Sequence, residues 1–125
     1  LDTHLEVNGR ILNARKRADG IIWFTFEELC EQATGVADYI EIARAFNTVL
    51  LSGVPLMDEN KADAARRFIN LIDEFYDRNV KMLISAEVPI DRLYNGKRLA
   101  FEFQRTASRL TEMQSNDYLA TPHLP

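Results

Sequence analysis

Three consecutive segments constrain this chain more than any other feature: VLLSGVP at 49–55, ARRFINLIDEFYD at 65–77 and VKMLISAEVP at 80–89. In the middle segment the apolar residues Ala65, Phe68, Ile69, Ile72, Phe75 and Tyr76 recur at i, i+3, i+4 and i+7, the period of a helix buried along one stripe. Arg66, Arg67, Asn70, Asp73, Glu74 and Asp77 fill the opposite face, with Leu71 as one apolar residue among them. The flanking runs are short, rich in branched residues and closed by Val-Pro, which reads as strand. A strand at 48–54, a helix from about Asn60 to Asp77 and a strand at 80–86 therefore predict a βαβ unit with parallel strands and a right-handed crossover. Asp58 or Asn60 can cap the helix start, and Asn79 can help end it.

The same period decides a question of chemistry. Four apolar residues before Asp73-Glu74 resemble the acidic strand end that holds magnesium in P-loop ATPases, but a strand cannot accommodate Phe75-Tyr76 resuming the apolar stripe. On a helix, Asp73 and Glu74 lie about 100° apart on the solvated side, with Asn70, Glu74 and Arg78 as i, i+4 neighbours. A phosphate loop also needs clustered glycines followed by Lys and a hydroxyl residue, so that backbone amides can wrap the phosphates. The glycines here, at 9, 20, 35, 53 and 96, are scattered. No self-contained nucleoside triphosphate site can be drawn.

The remaining chain supports an α/β class: an N-terminal β-hairpin or meander, the βαβ unit, and a C-terminal helix. LEVNGRIL at 5–12 alternates about Asn8-Gly9, the pair suited to a type I′ turn. Asn13 to Gly20 reads as a polar loop, and IIWFTF at 21–26 as an inner strand. Thr25 with Glu28 fits a capping box opening a short helix. Two helix-strand units occupy 38–89. They resemble a duplication, although two successive α/β units give the same look. Residues 93–103 read as a turn and short extended segment, and 104–119 as helix, the C-terminal helical region spanning 101–120. The final PHLP is a surface segment. With 125 residues, 46% of them hydrophobic, one domain with one continuous core is expected.

A net charge of −4 argues against general nucleic-acid or anionic-membrane binding, and no apolar run approaches the about 20 residues of a membrane span. Cys30 is the single cysteine; an intramolecular disulfide is excluded and a reducing compartment is the simplest expectation. On the apolar side of a short helix, it reads as core. His4 and His123 stand at opposite ends, so no zinc-ligand spacing can be written, and Ser108 with His123 lacks the spacing of a serine hydrolase. Starting at Leu1 without Met, the chain is expected to be a fragment of something longer.

The arginines are the candidate site residues. Arg105 and Arg109 stand one helical turn apart, a spacing that can clamp phosphate oxygens; on the residues alone, pairing with Glu102 and Glu112 is the favoured reading. Arg66 and Arg67 lie near a helix N-terminus, which disfavours cations. They are weaker candidates for a phosphate or an acidic partner surface. Arg10, Arg15, Lys16 and Arg17 form the densest basic cluster and read as a solvated loop.

AARRFINLIDEFYDRNVKMLISAEVPIDRLY followed by LAFEFQRTASRLTEMQSNDYLA resembles the carboxy-terminal part of the ZapE/Afg-type P-loop ATPases, and GIIWFTFEELC with ADYIEIARAFNTVLLSGVPLM resembles the segments before it. The resemblance covers about 7–124, with SRLTEMQS its most specific run. It implies a P-loop ATPase whose nucleotide-binding motifs lie upstream, so that ATP and Mg belong to the parent protein and none is expected for this chain alone. It also implies that Arg105 or Arg109, and more weakly Arg66 or Arg67, sense a phosphate. A cytoplasmic protein, peripheral at the division site, and a protein partner such as the tubulin-like division-ring protein follow from the same resemblance, with self-association left open. The competing reading is a non-catalytic interaction or oligomerisation module.

Overall fold

The computed structural model describes residues 3–125; Leu1, on which the expectation of a fragment rests, and Asp2 lie outside the described residues. Strands β1 (Thr3–Val7) and β2 (Arg10–Ala14) pair antiparallel about Asn8 and Gly9. Both turn residues have positive φ, 52° and 78°, as a type I′ turn demands. A four-stranded sheet follows in the order β3 (Lys16–Ala18), β4 (Ile21–Thr25), β5 (Thr48–Val54), β6 (Lys81–Ala86). β3 and β4 are antiparallel, whereas β4, β5 and β6 are parallel.

Helices α1 (Phe26–Cys30) and α2 (Val36–Ala45) connect β4 to β5, and α3 (Ala62–Asp77) connects β5 to β6. The Thr25 hydroxyl accepts from the Glu28 amide while the Glu28 carboxylate accepts from the Thr25 amide, so the capping box forms as expected. Asp58 caps a short 3-10 turn (Glu59–Lys61) ahead of α3. Asn79, at φ 57°, ends α3: its amide bonds the Tyr76 carbonyl and the Val80 amide the Phe75 carbonyl, a Schellman closure. Ile22, Phe24, Val49 and Leu51, on one sheet face, share a core with Ile42, Phe68, Ile72 and Phe75.

Three expectations change. The segment 13–20 is not all loop, because β2 runs to Ala14 and Lys16–Ala18 forms a strand against β4. Within 93–103 the only bridge is Met57 with Tyr94, and helix α4 (Ala100–Glu112) has already begun. The helical region then breaks: Ser115 caps a separate α5 (Asn116–Ala120) by accepting from the Tyr118 amide. That break lets the Tyr118 hydroxyl donate to the carbonyls of Val80 and Phe75.

Candidate functional site

The arginines collect along the seam between α3 and α4. The start of α4 is set by Glu59, whose carboxylate accepts from the Tyr94 hydroxyl at 2.7 Å and from the amides of Lys97 and Arg98 at 2.9 and 3.3 Å. The Tyr94 hydroxyl and those amides together hold the Glu59 carboxyl below its ordinary value. From there the two helices run side by side in the same direction. Polar pairs cross the seam at a constant sequence spacing of 36: Arg66 with Glu102, Asp73 with Arg109, Tyr76 with Glu112. Phe68 stacks on Phe103 beneath them, centroids 6.1 Å apart.

Asp73 is the centre of this seam. Arg109 Nη1 donates to its Oδ1 at 2.7 Å and Arg105 Nη2 to its Oδ2 at 3.3 Å. Two guanidinium groups thus hold the two oxygens of one carboxylate. The Asp73 and Arg109 side chains are 22% and 26% exposed, whereas Arg105 is 59% exposed. Arg109 also lies over the Tyr76 ring, 4.7 Å from its centroid, and the Tyr76 hydroxyl donates to Glu112, which raises the phenol's pKa.

The pairing of Arg105 and Arg109 with Glu102 and Glu112 is therefore corrected. Parallel packing brings Asp73 between the two arginines, Glu102 turns to Arg66 at 3.1 Å, and Glu112 takes the Tyr76 hydroxyl. Asp73 is likewise not on a solvated face, since α4 lies over it. Glu74, beside it, has its carboxyl raised by burial and by neighbouring Asp77. Arg67 leaves the seam altogether, donating to the Cys30 carbonyl at 3.3 Å at the end of α1. Of the four candidates, Arg66, Arg105 and Arg109 share one seam and Arg67 does not.

The N-terminal basic cluster is exposed throughout, and three of its residues also hold partners within the fold. Arg10 pairs with the buried Asp38 and donates to the Ala33 carbonyl. Arg15 lies over Trp23 and Arg17 over Phe46. Cys30 is buried and its thiol pKa is pushed far up by burial, which fits core packing. Among the described residues no group of three His, Cys, Asp or Glu could hold a metal ion, and no helix is long and apolar enough to cross a membrane.

Fold and seam together define an α/β unit that carries an arginine-bearing helix against its last crossover helix. The AFG1-like ATPase family model matches residues 1–122, and the chain belongs to that family. It is 48% identical over 120 residues to the cell division protein ZapE of Escherichia coli K12, covering 96% of this chain and 32% of that protein. It is 37% identical to lactation elevated protein 1 homolog B of Danio rerio, covering 91% of this chain and 29% of that protein. An uncharacterised protein of Schizosaccharomyces pombe is 29% identical, over 94% of this chain and 32% of that protein. The chain thus spans about a third of the length of the curated relatives it matches. No solved structure matches it.

Proposed function

We propose that this chain is the carboxy-terminal domain of a ZapE-like ATPase acting in cell division, and that it brings Arg105 and Arg109 to ATP and Mg bound by a P-loop core elsewhere in the parent protein. One observation carries the reading: two guanidinium groups converge on the two oxygens of a single anion, Asp73. Arginine forks of this geometry suit the oxygens of a transferring phosphoryl group, where they stabilise developing charge. Arg105 is the outer member and Arg109 the inner one. Arg66, bound to Glu102, extends the basic edge of the seam and is a weaker candidate. Arg67 is the weakest, since its guanidinium is turned to α1. In this reading the parent is cytoplasmic and its protein partner is the tubulin-like division-ring protein.

In the parent protein, Arg105→Ala and Arg109→Ala should each lower ATP turnover by at least tenfold, with Arg105→Ala leaving the melting temperature nearly unchanged. An arginine that stabilises the transferring phosphoryl contributes about 10³ or more. Wild-type turnover in both variants would end the assignment. A second reading, a non-catalytic interaction module, is favoured by the fact that Asp73 already occupies the fork and that Phe101, 83% exposed, stands beside Arg105 at a surface hollow. Capture of the division-ring protein by this chain without nucleotide, abolished by Phe101→Ala, would favour that reading.

A further inference from the structure

Parallel sheets occur almost only with both faces covered, because their crossovers lay helices on them. Here β4, β5 and β6 are parallel, yet their apolar surface is covered on one side only. Strand register sets Lys16, Trp23, Leu50 and Leu83 in one row across the other face, with Ala18, Ile21, Thr48 and Lys81 in the next. Leu83 is 61% and Ile21 42% exposed. Two hollows of about 250 and 130 Å³ adjoin on this face, sharing Trp23 and Leu50, and every residue lining them belongs to a strand.

The surface states what would fit it. Three strands about 4.8 Å apart span about 10 Å, the diameter of one α-helix with its side chains. Leu50, Leu83 and Ile21 keep the face apolar beside the Trp23 ring, over which Arg15 lies, so the facing stripe must be apolar. Lys16 lies at the β3 margin, and neither hollow is lined by an acidic residue; Lys81, at the β6 margin, already donates its ammonium to the carbonyls of Asn79 and Thr121 and lies over the Tyr118 ring. An acidic flank complements the Lys16 margin, whereas a second copy of the same face would bring further lysines to it. A source for such a helix exists in the family: two-thirds of the ZapE sequence lies outside the part that this chain matches.

We propose that this open sheet face docks an amphipathic α-helix with an acidic flank, supplied by the remainder of the parent ATPase polypeptide. The inference rests on the reading that this chain works together with a core outside it, and it identifies the surface that joins them. Docking there would fix the arginine seam relative to that core.

The test is thiol accessibility. Cys30 is fully buried, so Leu83→Cys adds one reactive position to this chain. Alkylation of residue 83, read by mass spectrometry on its own peptide, should be fast in the 125-residue chain and at least tenfold slower in the purified parent polypeptide. The rate in urea marks the unprotected limit for each. Equal rates in chain and parent overturn the proposal, and so does protection of the isolated chain that grows with its own concentration, which would put a second copy on the face. Ile21→Cys, exposed on the same face, gives the same readout should Leu83→Cys not fold. The outcome is separable from the arginine assignment: protection with wild-type turnover in the arginine variants defeats only that assignment. Free labelling with turnover lost in those variants defeats only the docking.

Discussion

Replacing Asp73 by Asn keeps the shape of the side chain and removes the charge that holds two arginines. The cost divides unequally. Arg105 is 59% exposed and 3.3 Å away, and an exposed ion pair contributes about 0.5 kcal/mol or less. Arg109 is closer, at 2.7 Å, with both side chains only about a quarter exposed, so this charge-assisted bond contributes about 1 kcal/mol. The large penalty for stranding a buried charge does not apply, because Arg109 keeps contact with water and stays over the Tyr76 ring. Asp73→Asn should therefore destabilise the fold by about 1.5 kcal/mol. At about 2.1 cal/mol/K of unfolding entropy per residue, that lowers the Tm by about 6 °C. Thermal and urea unfolding measure it, and added salt should narrow the gap by weakening the exposed Arg105 arm first. In the parent protein the effect on nucleotide should have the opposite sign. If Asp73 occupies the place of a phosphate oxyanion, freeing the arginines tightens ATP binding even as the fold weakens. A loss above about 4 kcal/mol, the range of a broken buried pair, would refute the view of a partly exposed, exchangeable anchor. Loss of stability together with weaker ATP binding would show Asp73 to be structural only.

Leu71, fully buried on the side of α3 where the period expects polar residues, should cost about 2–5 kcal/mol as Leu71→Ala. A cost under about 0.5 kcal/mol, typical of the surface, would return it to solvent. Glu59 has a lowered folded-state pKa, first through the Tyr94 hydroxyl and then through the Arg98 amide. Its contribution is therefore complete above the ordinary Glu value of about 4.3 and is lost as pH falls through the lower folded value. Melting curves of wild type and Glu59→Gln should differ near neutral pH and converge as the pH falls through the folded value; a constant separation would remove Glu59 as the titrating anchor of α4.

What could be read from the residues follows the range of the interactions that decide each feature. Asn8-Gly9, Thr25 with Glu28, and Asn79 act within five residues of themselves, and each does in the structure what its local chemistry requires. The parallel βαβ unit was legible because its period extends over whole elements. Strand β3 was not, because Lys-Arg-Ala has no strand signature of its own and exists as a strand only through its ladder with β4. The anchor of the start of α4 escaped for a similar reason: the amides of Lys97 and Arg98 are bound by Glu59, 38 and 39 residues earlier. The same limit governs the site. Arg105 and Arg109 were visible as a pair, since i, i+4 spacing is local, but their partner was not, since Asp73 reaches them only through the packing of α3 against α4. A solvated acidic residue and the anion at the centre of an arginine fork are the same Asp in the sequence; the difference between them is whether another helix lies alongside. For an arginine site the bound anion is what decides between scaffold and chemistry, so the effect of Asp73→Asn on ATP affinity, rather than any further reading of the arginines themselves, separates the two functions proposed for this seam.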